Sequence, residues 1–87
     1  MAFFTARILS KDGVVIAEDV EAWINFFHVR DEPRWDGSLE VPITTPLALI
    51  TYRLQLVDGR EGIIANIATQ IRGCNIMMYF EGQGPLA

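Results

Sequence analysis

The stretch at residues 52–67 constrains the fold more than any other part of the sequence. Apolar and polar residues alternate along both of its halves, around an Asp-Gly pair at positions 58 and 59. Alternation with a period of two is typical of a strand that buries one face, and an adjacent Asp-Gly is a strong signal for a hairpin. We therefore predict an antiparallel hairpin with one apolar face. That face comprises Tyr52, Leu54, Leu56, Ile63, Ala65 and Ile67.

Two other apolar residues of this hairpin, Val57 and Ile64, fall on its opposite face. A two-residue loop would pair Leu54 with Ile63, and a four-residue loop would pair Leu56 with Ile63, but both registers leave these two residues outside. Apolar side chains on an outer face require a second layer or a partner, and a second copy of the chain is the simplest partner. We therefore predict self-association as a homodimer, with Val57 and Ile64 in the contact.

Two further Asp-Gly pairs, at residues 12–13 and 36–37, punctuate the rest of the chain. Apolar runs on both sides of each pair predict strands and hairpins, and Pro42 predicts that its own strand is an edge strand. The sequence thus predicts an all-β domain of about six mainly antiparallel strands in meander order, built as a small β-barrel or a two-layer sandwich. The domain covers residues 1–81, and the glycine-rich residues 82–87 are expected to form a flexible C-terminal tail.

The segment at residues 17–30 has two interpretations. As a helix, it would place Val20, Trp23, Ile24 and Phe27 on one face and its acidic residues early, as the helix dipole prefers. As a strand, its Val, Ile, Phe and Trp residues would fit a pleated surface better than a helix. The neighbouring hairpins also favour a strand, so we predict a long strand and keep a short helix as the alternative.

The composition argues against several classes of function. The 87 residues carry a net charge of −4, and the seven basic residues are scattered, so neither nucleic acid nor an acidic membrane surface is an expected partner. The single histidine, His28, and the single cysteine, Cys74, are far apart in the sequence. They predict no nucleophile–base pair and no metal site. We expect a cytoplasmic protein that is not an enzyme, with no catalytic residues, cofactor or metal.

The best candidate for a binding surface is the polar loop at residues 30–35. Arginine and tryptophan are enriched at binding hot spots, and the candidate residues are Arg30, Arg34 and Trp35, with His28 and Trp23 nearby. For the two tryptophans a place in the core is the expected alternative, because so small a domain needs large apolar side chains.

The same loop contains two arginines four residues apart, in Arg-Asp-Glu-Pro-Arg, followed after Trp35 by Asp36-Gly-Ser38. This arrangement resembles fragments of the motifs of PilZ domains, small β-barrels that bind cyclic di-GMP through an arginine pair and a later Asp-x-Ser-x-x-Gly. The resemblance covers residues 30–41. One residue separates the two motifs where the family has a longer stretch, and Val41 stands at the final glycine. The resemblance implies an anionic ligand, with a nucleotide as its sharpest form.

These observations lead to two functional hypotheses. The first is a non-enzymatic interaction module that associates with itself or serves as an accessory subunit of a larger assembly. The second is a small-ligand binding domain that uses the loop at residues 30–35 for an anion. The fold alone does not decide between them.

Overall fold

The computed structural model describes residues 2–48 and 50–87 and forms a closed antiparallel barrel. Its strands are β1 (Ala2–Leu9), β2 (Val15–Val29), β3 (Glu32–Pro42), β4 (Thr51–Leu56), β5 (Glu61–Arg72) and β6 (Asn75–Gln83). The prediction of an all-β fold with about six antiparallel strands is confirmed, and the closure identifies a barrel. The segment at residues 17–30 lies mainly in β2, so the long strand is confirmed over the helix. No helix able to cross a membrane occurs among the described residues.

The strand order around the barrel is β1-β2-β3-β6-β5-β4, and β4 pairs back with β1. Meander order therefore holds within β1–β3 and within β4–β6, while β3 and β4 are not neighbours. The connection between them is held to the barrel at Ala48 by side chains. Asn66 Nδ2 donates to the carbonyl oxygen of Ala48 at 2.9 Å, and the amide of Ala48 donates to Tyr52 Oη at 2.8 Å.

The core fills the barrel with one face of every strand. Its most deeply buried side chains are at most 1% exposed, and each adds roughly 1.5–3 kcal/mol of burial free energy. Each of the six strands contributes at least one of them; in the order β1 to β6, examples are Ile8, Ile24, Leu39, Leu54, Ile64 and Phe80. Ile64, expected on the outer face of its hairpin, is thus a core residue.

The register of the β4–β5 hairpin explains this correction. Tyr52 pairs with Ile64, because the loop has three residues and neither two nor four: the amide of Leu56 donates to the carbonyl of Arg60 at 2.8 Å. Gly59 supplies the positive φ of 97° that such a loop requires. A shift of one residue moves a strand's whole apolar set to the other face. Ile63 and Ile67 therefore point outward, 37% and 57% exposed.

The predicted hairpin at Asp36-Gly37 is also corrected, because both residues lie inside β3. The turn that joins β2 to β3 is Arg30-Asp31, with φ of 51° and 66°, which is a type I′ turn made without glycine. Gly37 serves packing instead. A Cβ at this position would overlap the backbone carbonyl oxygen of Trp23 and lie 2.8 Å from the Phe80 ring.

The C-terminal residues are part of the barrel. Residues 82 and 83 belong to β6, and Ala87 exchanges two backbone hydrogen bonds with Glu61, at 2.9 and 3.1 Å. Leu86 is partly buried against the core. The stretch expected to be a flexible tail at residues 82–87 is therefore a strand end followed by a docked segment.

Candidate binding surface at the β2–β3 ribbon

The hairpin formed by β2 and β3 extends beyond the barrel wall. The pairing of β1 with β2 ends at Ala2 and Ile24, and the pairing of β3 with β6 ends at Asp36 and Glu81. Residues 25–35 therefore form a two-stranded segment with no further strand on either side among the described residues. We call this segment the ribbon. A two-stranded hairpin is at best marginally stable in water unless it packs against something else.

The ribbon is attached to the barrel by Trp35. This side chain is 5% exposed, and its Nε1 donates to the carbonyl oxygen of Gly84 at 2.8 Å. Its ring meets the Phe80 ring edge to face, with the centroids 6.0 Å apart. A Cβ at Gly62 would lie 2.7 Å from the ring, and one at Gly82 would overlap it. The two glycines thus make room for a ring that closes this end of the barrel.

Beyond Trp35, the ribbon exposes large apolar side chains on both faces. Phe26 is 50% exposed, Phe27 37% and Val29 46%. Phe26 pairs with Trp35 and shares the inner face with it, whereas Phe27 pairs with Arg34 on the outer face. Open grooves of about 570 and 420 Å³ lie on the two sides of the ribbon's base. Such clustered apolar exposure is typical of a protein contact surface.

The five residues predicted for binding are not gathered into one site. Arg34 forms an exposed ion pair with Glu32 at 3.1 Å, and Arg30 lies in the turn at the ribbon's tip. His28 is paired with Pro33 on the inner face, and Trp35 is in the core.

Trp23 lies on the outer wall of the barrel, where its ring packs edge to face on Phe3 with centroids 5.5 Å apart.

Arg34 also shares its groove with Asp36 and Glu81, so the charge around it is not net positive.

The residues that sequence reasoning missed are Phe26, Phe27 and Val29. Their signal was present in the sequence: the end of a predicted strand that is apolar on both faces and stands beside a polar loop. Of the residues predicted for self-association, Val57 is exposed (78%) in the β4–β5 loop, and Ile64 is buried.

The single histidine, His28, and the single cysteine, Cys74, lie far apart in the barrel. His28 pairs with Pro33 near one end of β3, whereas Cys74 adjoins Asn75, which pairs with Pro42 at the other end. Nine residues of extended strand separate the two prolines by roughly 30 Å. At the exposed β4–β5 loop, hydrogen bonds from Arg60 lower the pKa of Asp58.

Comparison with known proteins finds no matching family model, no matching curated protein and no matching solved structure. The geometry of the ribbon is therefore the basis on which a function is proposed.

Proposed function

We propose that this chain is a non-enzymatic interaction module that associates with itself through the ribbon at residues 25–35. The observation that carries the proposal is the exposure of Phe26, Phe27 and Val29 on a segment that projects beyond the barrel. A projecting ribbon can enter a contact without disturbing the core.

The amount of apolar surface on the ribbon supports this role. Phe26 and Phe27 are 50% and 37% exposed, and a phenylalanine side chain buries about 200 Å² in a core. Together they leave roughly 170 Å² of apolar surface in water, worth about 4 kcal/mol per protomer at ~25 cal/mol per Å² if a contact covers it fully. A gain of that size in both protomers is comparable with the lower estimates of the cost of association, about 4–15 kcal/mol.

The charges near the ribbon favour a protein contact over an anionic ligand. Arg34 forms an ion pair with Glu32, and Asp36 and Glu81 line the same groove as Arg34. An anion would have to displace Glu32 and approach two further carboxylates. We therefore do not extend the proposal to nucleotide binding by the loop at residues 30–35.

Sedimentation equilibrium of the wild type and two matched variants tests the proposal. The wild type should approach twice the chain mass of 9.8 kDa as its concentration rises. Phe27→Asp places two like charges in the contact and should remain monomeric. Val57→Asp is the control, because Val57 is 78% exposed but lies outside the ribbon, and it should associate as the wild type does.

The alternatives give different results. Dissociation by Val57→Asp and not by Phe27→Asp would move the contact to the β4–β5 loop. A wild type that stays monomeric up to about 1 mM, a concentration that corresponds to only ~4 kcal/mol of binding free energy, would contradict self-association altogether.

A further inference from the structure

The ribbon has a free edge on each of its strands, and turn geometry identifies which residues of β2 direct their backbone groups to its free edge. Arg30 and Asp31 form a type I′ turn, so the flanking pair, Val29 and Glu32, is hydrogen-bonded. Bonded and non-bonded pairs alternate along an antiparallel ladder. Phe27 and Val29 therefore direct their N–H and C=O groups toward β3, while Phe26 and His28 direct theirs away from it, to the free edge of β2.

Two other free edges among the described residues carry protecting features that this one lacks. Natural proteins blunt edges with proline, charged residues and bulges. The edge of β3 at residues 32–35 contains Pro33 between Glu32 and Arg34. The free part of β5 begins at a bulge next to Asn66 and ends at Arg72. The edge of β2 at residues 25–29 has no proline, lysine, carboxylate or bulge.

We infer that the β2 edge pairs with the β2 edge of a second copy, antiparallel, about a two-fold axis at Phe27. This inference rests on the proposed self-association and specifies its geometry. Residues 25–29 of one protomer lie against residues 29–25 of the other, so Phe27 faces its own copy. Phe26 and His28 of the two chains then exchange four backbone hydrogen bonds. The result is a continuous sheet with the order β3-β2-β2-β3.

The sequence of the edge is compatible with this register at every pair. Phe27 meets Phe27 in a non-hydrogen-bonded pair, where cross-strand side chains are closest and aromatic pairs are favourable. Asn25 meets Val29, and Phe26 meets His28, so no like charges are opposed. A second copy is therefore an occupant that satisfies both the hydrogen-bonding groups and the apolar side chains of this edge.

Disulfide cross-linking tests the register. All variants carry Cys74→Ser, because Cys74 is exposed. Phe27→Cys should form a covalent dimer under mild oxidation, since a non-hydrogen-bonded antiparallel pair has a Cα separation of about 4.5 Å, within the range of disulfides. Asn25→Cys is the matched control on the same face. The cysteines at position 25 of the two chains would be four residues out of register, roughly 14 Å apart. They should therefore cross-link at least about tenfold more slowly than those of Phe27→Cys.

A second measurement needs no substitution in the contact. The amide protons of Phe26 and His28 in the wild type should exchange with solvent about tenfold more slowly in the associated protein than at high dilution. The amide of Phe27, already bonded to β3, should change much less.

The outcomes separate this inference from the proposed function. A wild type that dimerises while Phe27→Cys and Asn25→Cys cross-link equally, or while the Phe26 and His28 amides show no change, overturns the β2 pairing and leaves self-association standing. A wild type that remains monomeric overturns both.

Discussion

Replacing Gly82 with alanine should destabilise the barrel strongly, because Gly82 has no room for a side chain. Its Cβ would overlap the five-membered part of the Trp35 indole and lie 2.5 Å from Nε1. The ring cannot move aside easily. Its Nε1 donates a hydrogen bond to the carbonyl oxygen of Gly84. Its opposite edge lies close to Gly62, where a Cβ would be only 2.7 Å from the ring.

The expected cost follows from what the ring must give up. Added methyl groups in a well-packed core typically cost 1–3 kcal/mol, and losing a buried tryptophan costs about 3–5 kcal/mol. Because Trp35 is held on several sides, we expect Gly82→Ala to cost about 3 kcal/mol, where the two ranges meet. For a domain of this size the midpoint of thermal unfolding should fall by roughly 12–24 °C.

A double-mutant cycle in urea, at one fixed protein concentration, isolates the contact. In a Trp35→Leu background the same Gly82→Ala change should cost nothing, because alanine loses less chain entropy on folding than glycine. Gly37→Ala is the control. Its Cβ meets the backbone carbonyl of Trp23, which Trp35→Leu does not remove, so its cost should persist. A Gly82→Ala cost below about 0.5 kcal/mol, or one that is unchanged in the Trp35→Leu background, would refute the packing argument.

Three further predictions concern the loops and the C-terminal segment. Asp31→Gly should raise the free energy of unfolding measured in urea by about 1 kcal/mol, since φ at Asp31 is 66° and glycine adopts this φ without strain. No gain in stability would contradict the type I′ turn. Asp58→Asn should lower the melting temperature at neutral pH. Arg60 depresses the pKa of Asp58 in the folded state, so the stabilisation is present above the unfolded pKa and is lost as pH falls through the folded one; a difference that persists at pH ~2 would contradict this origin. Deleting residues 84–87 should cost roughly 2–4 kcal/mol in urea unfolding, because the Trp35 acceptor and the partly buried Leu86 are lost; an unchanged midpoint would mean that the segment is not docked.

Part of the fold could be predicted because its signals are local. The alternation at residues 52–56 does put Tyr52, Leu54 and Leu56 into the core, since side chains of a strand point to opposite faces in turn. The strand preference of Val, Ile, Phe and Trp at residues 17–30 was likewise sufficient to predict β2 over a helix.

The candidate site was only partly predictable. The loop at residues 30–35 does lie at the projecting end of the molecule, but Arg34 is paired with Glu32 and Trp35 is buried. Whether Phe26 and Phe27 are exposed depends on where β1 and β6 stop covering β2 and β3, which is a property of the strand pairing and not of the residues themselves. The same run of apolar residues would suit a strand end that is buried on both faces.

The sequence by itself determined that this chain forms strands and where most of its turns are, because propensity, alternation and Asp-Gly chemistry act over a few residues. Only the tertiary structure decided which face of β5 is buried, that Asp36-Gly37 lies inside a strand, and that β3 lies beside β6. The free energies that separate one loop length from another are small, so non-local contacts select among them. Ile64 packs in the core because a three-residue loop at Gly59 shifts β5 by one residue. Gly37 lies inside β3 because it pairs with both Ile24 and Phe80, and the carbonyl of Trp23 leaves no room there for a side chain.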